Sequence, residues 1–461
     1  MKGVRVGGQG SGFGGESERE SESGSMTTTR RKLLKTAVFG AGLVGLKSLA
    51  TGLPKSWILG ERVARAADLS PQFLILATSS NGDPLNANAP GSFVPGAENS
   101  PIPALAGADV TFGDASFQAA ACWGNLPAEL RARMAFFHHR TYTNAHPEHR
   151  KVMALQGAAK SAAGNGQEML PSLIASELAQ SLGTIQTEPI PLGNELISYE
   201  GRALDNIDPT GLKSLFDEPD DLLTGLTSLR DQQIDAIYAD LRVSGTRIQR
   251  EFLDRYALGR EQVRKLGEDL ANLLLRLPVD PTNRDSPADQ IIAAVALVKL
   301  KVAPVITIHL PFGGDNHNDS DLTVEAQDTQ DSIGALSMLW TELATQGLQD
   351  QVTFASLNVF GRTLKRNAGG GRNHNQNHHV MTLFGRHVRG GVIGGVGPID
   401  GDFGAVAIDS STGKPSDGGD IDPLSSLESA GKTLAAALQL PADRIEQRIS
   451  AGKIVSAAIV P

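Results

Sequence analysis

The chain carries ten histidines in 461 residues, and nine of them fall in or beside polar segments that follow short apolar runs. One segment reads His138-His139-Arg140-Thr141-Tyr142-Thr143-Asn144-Ala145-His146-Pro147-Glu148-His149. A second is Phe312-Gly313-Gly314-Asp315-Asn316-His317-Asn318-Asp319. A third joins Phe360-Gly361-Arg362-Thr363 to Gly369-Gly370-Gly371-Arg372-Asn373-His374-Asn375-Gln376-Asn377-His378-His379, and the turn holding Asp83 is a fourth. His309 sits inside an apolar run, and only His387 lies clear. Imidazole together with carboxylate suits zinc, manganese or iron, whereas carboxylate and carbonyl alone suit magnesium or calcium. Asp315 and His317, two residues apart, share one face of an extended chain and so suit a common ion. His374 and His378 would chelate only on a helix, which the surrounding glycines and asparagines disfavour. Taken singly, each segment is also an ordinary solvated loop, and Asp83-Pro84 an ordinary turn. Their distribution over four strand ends predicts a metal site.

Such side chains need a scaffold that brings distant loops to one place. Gln72–Thr78 is a short apolar run ending in a turn, as expected for a buried strand of a parallel sheet. Met134–Phe137, Val302–Leu310, Val352–Leu357, Val380–Phe384 and Gly391–Gly395 read as further strands, with Glu195–Tyr199 a possible one. Helices are predicted over Pro147–Lys160, Gln167–Leu182, Ser286 to about Leu300, Glu325–Gln346 and Ser426–Leu438. Thr227–Leu277 has apolar residues at helical spacing with a break at Ser244-Gly245. Ser286-Pro287-Ala288-Asp289 has the residues of a helix start, and Gly347 those of a stop. The alternation predicts an α/β fold with a mostly parallel central sheet and helices on both faces. In such sheets sites form beyond the carboxyl ends of the strands.

Composition narrows the function classes. Hydrophobic residues make up 40% and charged residues 20%, as in a globular protein. The formal charge is −9, but the first 66 residues hold 11 Lys/Arg against 5 Asp/Glu, so the remainder carries −15. An acidic body argues against nucleic acid as a partner. The single Cys122 excludes an intramolecular disulfide and a Cys-rich zinc module and reads as a small buried residue. Residues 1–25, rich in Gly, Ser and Glu, read as a disordered extension, and Met26 is an alternative start. Thr29-Arg30-Arg31-Lys32-Leu33-Leu34-Lys35, the glycine-broken run Thr36–Leu53 and Ala64-Arg65-Ala66 resemble a twin-arginine export signal over 26–66 with its cleavage site. That resemblance implies the twin-arginine translocase as a partner, and a periplasmic or secreted mature protein. Lys47 and the glycines make the run a poor membrane span, and no stable span is expected in the mature chain. Residues 67–461 read as one domain with a helical insertion at about 205–280.

The order of these pieces resembles domain-of-unknown-function family 1501, in the alkaline phosphatase/sulfatase superfamily. Asn81-Gly82-Asp83 is similar to the family's Gly-x-Asp turn after the first strand. Gly313-Gly314-Asp315-Asn316-His317 is similar to its Gly-Gly-Trp-Asp-Thr-His, without the tryptophan. Asn358-Val359-Phe360-Gly361-Arg362-Thr363 is similar to its Ser-Glu-Phe-Gly-Arg-Thr. Gly371-Arg372-Asn373-His374, before Val380–Phe384 and Gly390-Gly391, is similar to its Gly-x-Asp-His, and Ala145-His146 to an early Ser-His. The resemblance covers most of residues 70–440 and implies an alkaline-phosphatase-like fold. It also implies a divalent metal ion (zinc, manganese or calcium), with Asp83, His146, Asp315, His317 and His374 as candidate ligands, and a small anionic phosphate or sulfate ester as substrate. Two cations about 4 Å apart would activate an oxygen nucleophile and clamp the ester.

Three departures bear on that implication. Val359 replaces the family's glutamate, Asn373 its aspartate and Ala145 its serine, which removes two negative charges and a hydroxyl. A two-cation site would then be poorly neutralised. Thr143, just ahead of the Pro147 segment, is a candidate replacement nucleophile. Arg362 is a candidate anion-binding residue, since its planar fork matches phosphate or sulfate; pinning a loop through carbonyl hydrogen bonds is the other role open to it. The expectation is a metal-dependent ester hydrolase with a degenerate site. The alternative is a non-catalytic periplasmic binding or envelope-assembly protein, and a metal-storing protein ranks last.

Overall fold

The computed structural model describes residues 72–461, apart from 83, 163–165, 183, 185, 194, 210–211, 213–221, 248–249 and, with 273 and 275 excepted, 251–285. The expected N-terminal extension and export signal over 1–66, Asp83, and most of the predicted helical pattern beyond 248 lie outside the described residues.

Seven strands form the central sheet: β1 (Phe73–Ser79), β2 (Met134–His139), β3 (Ile190–Pro191), β4 (Val305–Ile308), β5 (Val352–Asn358), β8 (His379–Phe384) and β9 (Gly391–Ile393). Between β5 and β8 in the chain, β6 (Gly361–Arg362) and β7 (His374–Asn375) make a separate antiparallel ribbon. The sheet order is β9-β2-β8-β5-β1-β4-β3. β1 pairs in parallel with β5 from Phe73↔Val352 to Ser79↔Asn358, and with β4 from Leu74↔Val305 to Ala77↔Ile308. β8 alone runs against its neighbours, β2 and β5. Every residue of β1, β2, β4, β5 and β8 is buried, which requires cover on both faces and explains why these strands read as continuous apolar runs.

The helices include α1 (Leu85–Asn88), α2 (Leu170–Leu182), α3 (Leu222–Ser244), α4 (Pro287–Lys299), α5 (Thr323–Gln346) and α6 (Ser426–Ala437). α2 and α4 pack on β4, α6 packs on β2, and α4 packs on α5. α5 buries Ile333, Leu336, Trp340 and Leu343, as its period requires, and stops where Gly347 takes a left-handed conformation. Ser286 occupies the start of α4, but its side chain makes no capping bond there. Each fully buried Leu, Ile or Phe in this core stabilises it by about 1.5–3 kcal/mol.

Two elements differ from the sequence reading. Pro147–Lys160 is not one helix: a 3₁₀ turn over His146–Glu148, an α-helix over His149–Met153 and a second 3₁₀ turn over Leu155–Gly157 replace it. Leu155 and Gln156 adopt φ of 48° and 58°, values that end a right-handed helix. The Glu195–Tyr199 strand reduces to Ser198–Tyr199, paired with Arg202–Ala203 outside the main sheet, and Ile190–Pro191 takes the edge beside β4 instead.

The parallel strands β1, β2, β4 and β5 end at the same edge of the sheet, and the antiparallel β8 begins there. Four chain-distant loops therefore meet at one edge, including the segment that leads into β8.

Candidate metal centre

At that edge His146, Asp315 and His374 each present one ligand atom, and these atoms all lie within 4.8 Å of one another. His146 comes from the loop after β2, Asp315 from the loop after β4, and His374 from β7. Asp315 Oδ2 lies 4.0 Å from His146 Nε2, and Asp315 Oδ1 lies 3.6 Å from His317 Nε2. The His374 ring stands perpendicular to that of His146 at 4.8 Å and 4.6 Å from that of His317.

Both imidazoles of the trio are oriented by main-chain carbonyls. His146 Nδ1 is 2.7 Å from the Ser80 oxygen, and His374 Nδ1 is 2.6 Å from the Asn144 oxygen. A carbonyl only accepts, so the proton sits on Nδ1 in each ring and the Nε2 lone pair is left for a ligand. Metal-binding histidines are held in this way. The Nε2 atom of His374 is buried with no hydrogen-bond partner, an arrangement that costs free energy unless something electrophilic meets it. Burial lowers the His374 pKa, aided by the nearby Arg362, His317 and His146 and opposed by the Asn144 carbonyl, so the ring is a neutral donor. The donor set of two imidazoles and one carboxylate fits a late first-row divalent ion.

Phe360 holds these rings in place. It is fully buried, with its ring 4.9 Å from His146 and 4.2 Å from His374. Its edge fills the space a Cβ on Gly82 would need, at 2.2 Å, and Gly82 has φ +64°. Glycine at that turn is thus a requirement of both conformation and space.

Arg362 is fully buried. Its Nε donates to the Gly82 oxygen at 2.9 Å and its Nη2 to the Asn81 oxygen at 2.8 Å, which pins the turn after β1. The same Nη2 lies 2.9 Å from Asp315 Oδ1. Partial burial pushes the Asp315 carboxyl up, but Arg362, His317 and His146 outweigh it and hold the pKa below the usual carboxylate range.

Beneath the Asp315 loop lies a buried ion pair that sequence reading missed. Arg372 Nε meets Glu325 Oε2 at 2.9 Å, and both side chains are fully buried. Asn316 and Asn88 also donate to the Glu325 carboxylate, at 2.6 and 2.9 Å. Arg372 donates further to the carbonyls of Thr363, Leu364 and Glu98. This network ties the start of α5 to the segment between β6 and β7, so the Asp315 and His374 loops keep a fixed relation. The available signal was Arg372 beside His374 and an acid in the first turn of α5, and nothing in their spacing marked them as partners.

The other candidates are placed as follows. His317 touches Asp315 and His374 but does not belong to the three-atom cluster. Thr143 is buried, and its hydroxyl donates to Glu148 Oε2 and accepts from the Ala145 amide at 3.0 Å; among the described residues its contacts do not reach Asp315 or either histidine of the trio. Asp83 is outside the described residues. Val359 is fully buried in the apolar core, Asn373 is exposed and accepts from Asn367, and Ala145 starts the 3₁₀ turn. His138, His139, His378 and His379 lie fully buried at the β2–β8 pairing, apart from the trio.

Residues 268–410 match the model of a family described as protein of unknown function (DUF1501). The match spans the loops bearing Asp315, His317, Arg362, Arg372 and His374, but not His146. No curated protein matches the chain.

Proposed function

We propose that this is an exported protein of the alkaline phosphatase/sulfatase lineage whose site holds one divalent transition metal, zinc foremost, and acts on a small phosphate or sulfate ester. The observation that carries this reading is the unpartnered, buried Nε2 of His374 among two other ligand atoms within 4.8 Å. His146, Asp315 and His374 would hold the ion, and His317 stands beside it. Such an ion supplies Lewis acidity toward an ester oxygen.

Among the described residues, charge favours a single ion. Asp315 is the one carboxylate of the trio, and Arg362 already offsets part of its charge at 2.9 Å. A second cation would stand against Arg362 without the acids that Val359 and Asn373 replace. A single cation beside Arg362 leaves the pocket positive, which favours an anionic ester. Thr143, three residues before His146 and next to Asn144, whose carbonyl orients His374, is the candidate nucleophile, and it would have to leave Glu148 to attack. The twin-arginine pattern in the sequence supports export to the periplasm or beyond.

One observation favours a second, non-catalytic reading as a periplasmic binding or envelope-assembly protein. The two groups assigned to chemistry, Thr143 and Arg362, are both engaged in structural hydrogen bonds. Metal analysis of the purified mature protein, with turnover of aryl phosphates and aryl sulfates, separates the two. About one zinc per chain and turnover abolished by Asp315→Ala is the expected result. Bound zinc without turnover would favour the second reading, and no bound ion would remove the basis of the first.

A further inference from the structure

Three side chains, those of His138, His378 and Asn86, form an unbroken hydrogen-bond path from the sheet interior to the main chain of Arg362. His138 Nε2 lies 2.8 Å from the Pro90 oxygen, and His138 Nδ1 lies 2.9 Å from His378 Nε2. His378 Nδ1 lies 3.3 Å from Asn86 Nδ2. Asn86 Nδ2 also donates to the Arg362 oxygen at 2.5 Å, and Asn86 Oδ1 accepts from the Arg362 amide at 3.0 Å. Each of these four residues is buried, His138, His378, Asn86 and Arg362 alike at 0% exposure.

The donor and acceptor inventory allows one assignment along this path. The Pro90 carbonyl only accepts, so His138 carries its proton on Nε2 and accepts on Nδ1. His378 must then donate from Nε2, and its Nδ1 accepts. That acceptor takes one N–H of the Asn86 amide, and the other N–H goes to the Arg362 carbonyl. Every polar group on the path is satisfied with both rings neutral. A second proton on either ring would set two donors face to face. The two ring centroids lie 5.1 Å apart with planes 11° from parallel, the edge-to-edge arrangement an in-plane N–H···N bond requires.

The packing leaves the path no slack. A Cβ on Gly361 would lie 2.2 Å from the His378 oxygen and 2.9 Å from Asn86, and a Cβ on Gly91 would lie 2.7 Å from His138 Nε2. The glycines of Pro90-Gly91 and Phe360-Gly361 therefore let the backbone close on the two rings.

We infer that Asn86, His378 and His138 are positioning residues for the candidate metal centre. They fix the main chain of Arg362, whose guanidinium in turn sets Asp315. The role rests on the metal reading of the site. It goes beyond that reading in assigning function to three residues that touch no ligand, and in fixing the proton position on each ring. The second pair at the same strand pairing has the opposite sense. His139 Nδ1 lies 2.9 Å from the Arg140 oxygen, and His379 Nδ1 lies 3.2 Å from His139 Nε2, so both of those rings carry the proton on Nδ1. That pair runs to the Arg140 carbonyl and not to Asn86, and it serves as an internal control.

The test has two arms on the mature chain. Nitrogen-15 spectra of the histidine rings at neutral pH should show His138 and His378 protonated on Nε2, and His139 and His379 on Nδ1. Zinc affinity, measured against a chromophoric chelator, should fall about 10–100-fold in Asn86→Ala, the loss typical when an outer-shell partner is removed. Asn86→Asp conserves shape but replaces the donor to His378 by an acceptor, so its His378 should take a second proton and give an imidazolium signature; it covers the case in which Asn86→Ala does not fold. His378 protonated on Nδ1 in the wild type, or wild-type zinc affinity in a folded Asn86 variant, would overturn the inference. A wild type that binds no zinc would overturn the metal reading and the positioning role with it, whereas zinc binding unaffected by Asn86 would overturn the positioning role alone.

Discussion

Arg362 meets Asp315 through one oxygen: Nη2 lies 2.9 Å from Oδ1, while Oδ2 faces His146 Nε2 at 4.0 Å. One carboxylate thus serves two tasks, closing an ion pair with a buried guanidinium and offering its second oxygen to His146. If zinc binds there, it stabilises the folded chain by about 2.7 kcal/mol at a free concentration 100 times its Kd. Thermal melts with and without zinc should show that gain in the wild type and in His317→Ala, and lose it in Asp315→Asn and His374→Ala. A zinc shift equal in all four proteins would place the ion elsewhere.

The Arg372–Glu325 pair should behave as a buried charge pair that is costly to halve. Arg372→Ala leaves the Glu325 carboxylate with only Asn88 and Asn316 as side-chain donors, and a loss of about 3–5 kcal/mol is expected by urea denaturation. The double change Arg372→Met with Glu325→Leu removes both charges and should recover most of that loss. A double variant no more stable than the single one would show that the carbonyl contacts of Arg372, not the ion pair, hold the segment.

Acid should destabilise the fold through its histidine pairs well above the carboxylate range. Burial lowers the pKa of His138 and His139 to about 4 and those of His378 and His379 well below the ordinary value. The unfolded chain binds these protons near pH 6.5 and the folded chain does not. Stability is then unaffected by these groups above 6.5 and falls as the pH drops toward 4, by roughly 1.4 kcal/mol per pH unit for each group. Unfolding free energies measured from pH 7.5 to 4.5 should show this slope, and a flat profile across 6.5–4.5 would show that the rings are not held neutral.

Glu428 should act in the opposite direction. Burial on α6 raises its pKa to about 7, and its Oε2 is buried without a partner. A carboxyl with a raised folded pKa contributes stability below its unfolded pKa, near 4.5, and loses it as the pH rises through 7. Glu428→Gln, which stays neutral, should raise the melting temperature at pH 8 and leave it close to wild type at pH 5. A gain of the same size at both values would point to packing and not to charge.

The apolar runs were enough to place most of the sheet. β1, β4, β5 and β8 are fully buried and so had to be written in apolar residues, which is why each was legible within a few positions. The Leu155–Gln156 break was not, because a left-handed turn at two ordinary residues leaves no compositional mark. Histidine enrichment pointed to His146 and His374, yet the same enrichment marked His138, His139, His378 and His379, which lie buried at a strand pairing and away from the trio.

What separates the two groups of histidines is the direction of β8. Because that strand runs against its neighbours, the segment before it returns to the edge where β1, β2, β4 and β5 end, and His374 meets His146 and Asp315 there. Residue types and local periodicity determined by themselves that the chain would bury a sheet and set polar loops at its strand ends. Strand direction, the Arg372–Glu325 link and the proton positions along His138–His378–Asn86 were decided only by tertiary structure. They depend on contacts between residues far apart in the chain, whose free energies no local pattern encodes.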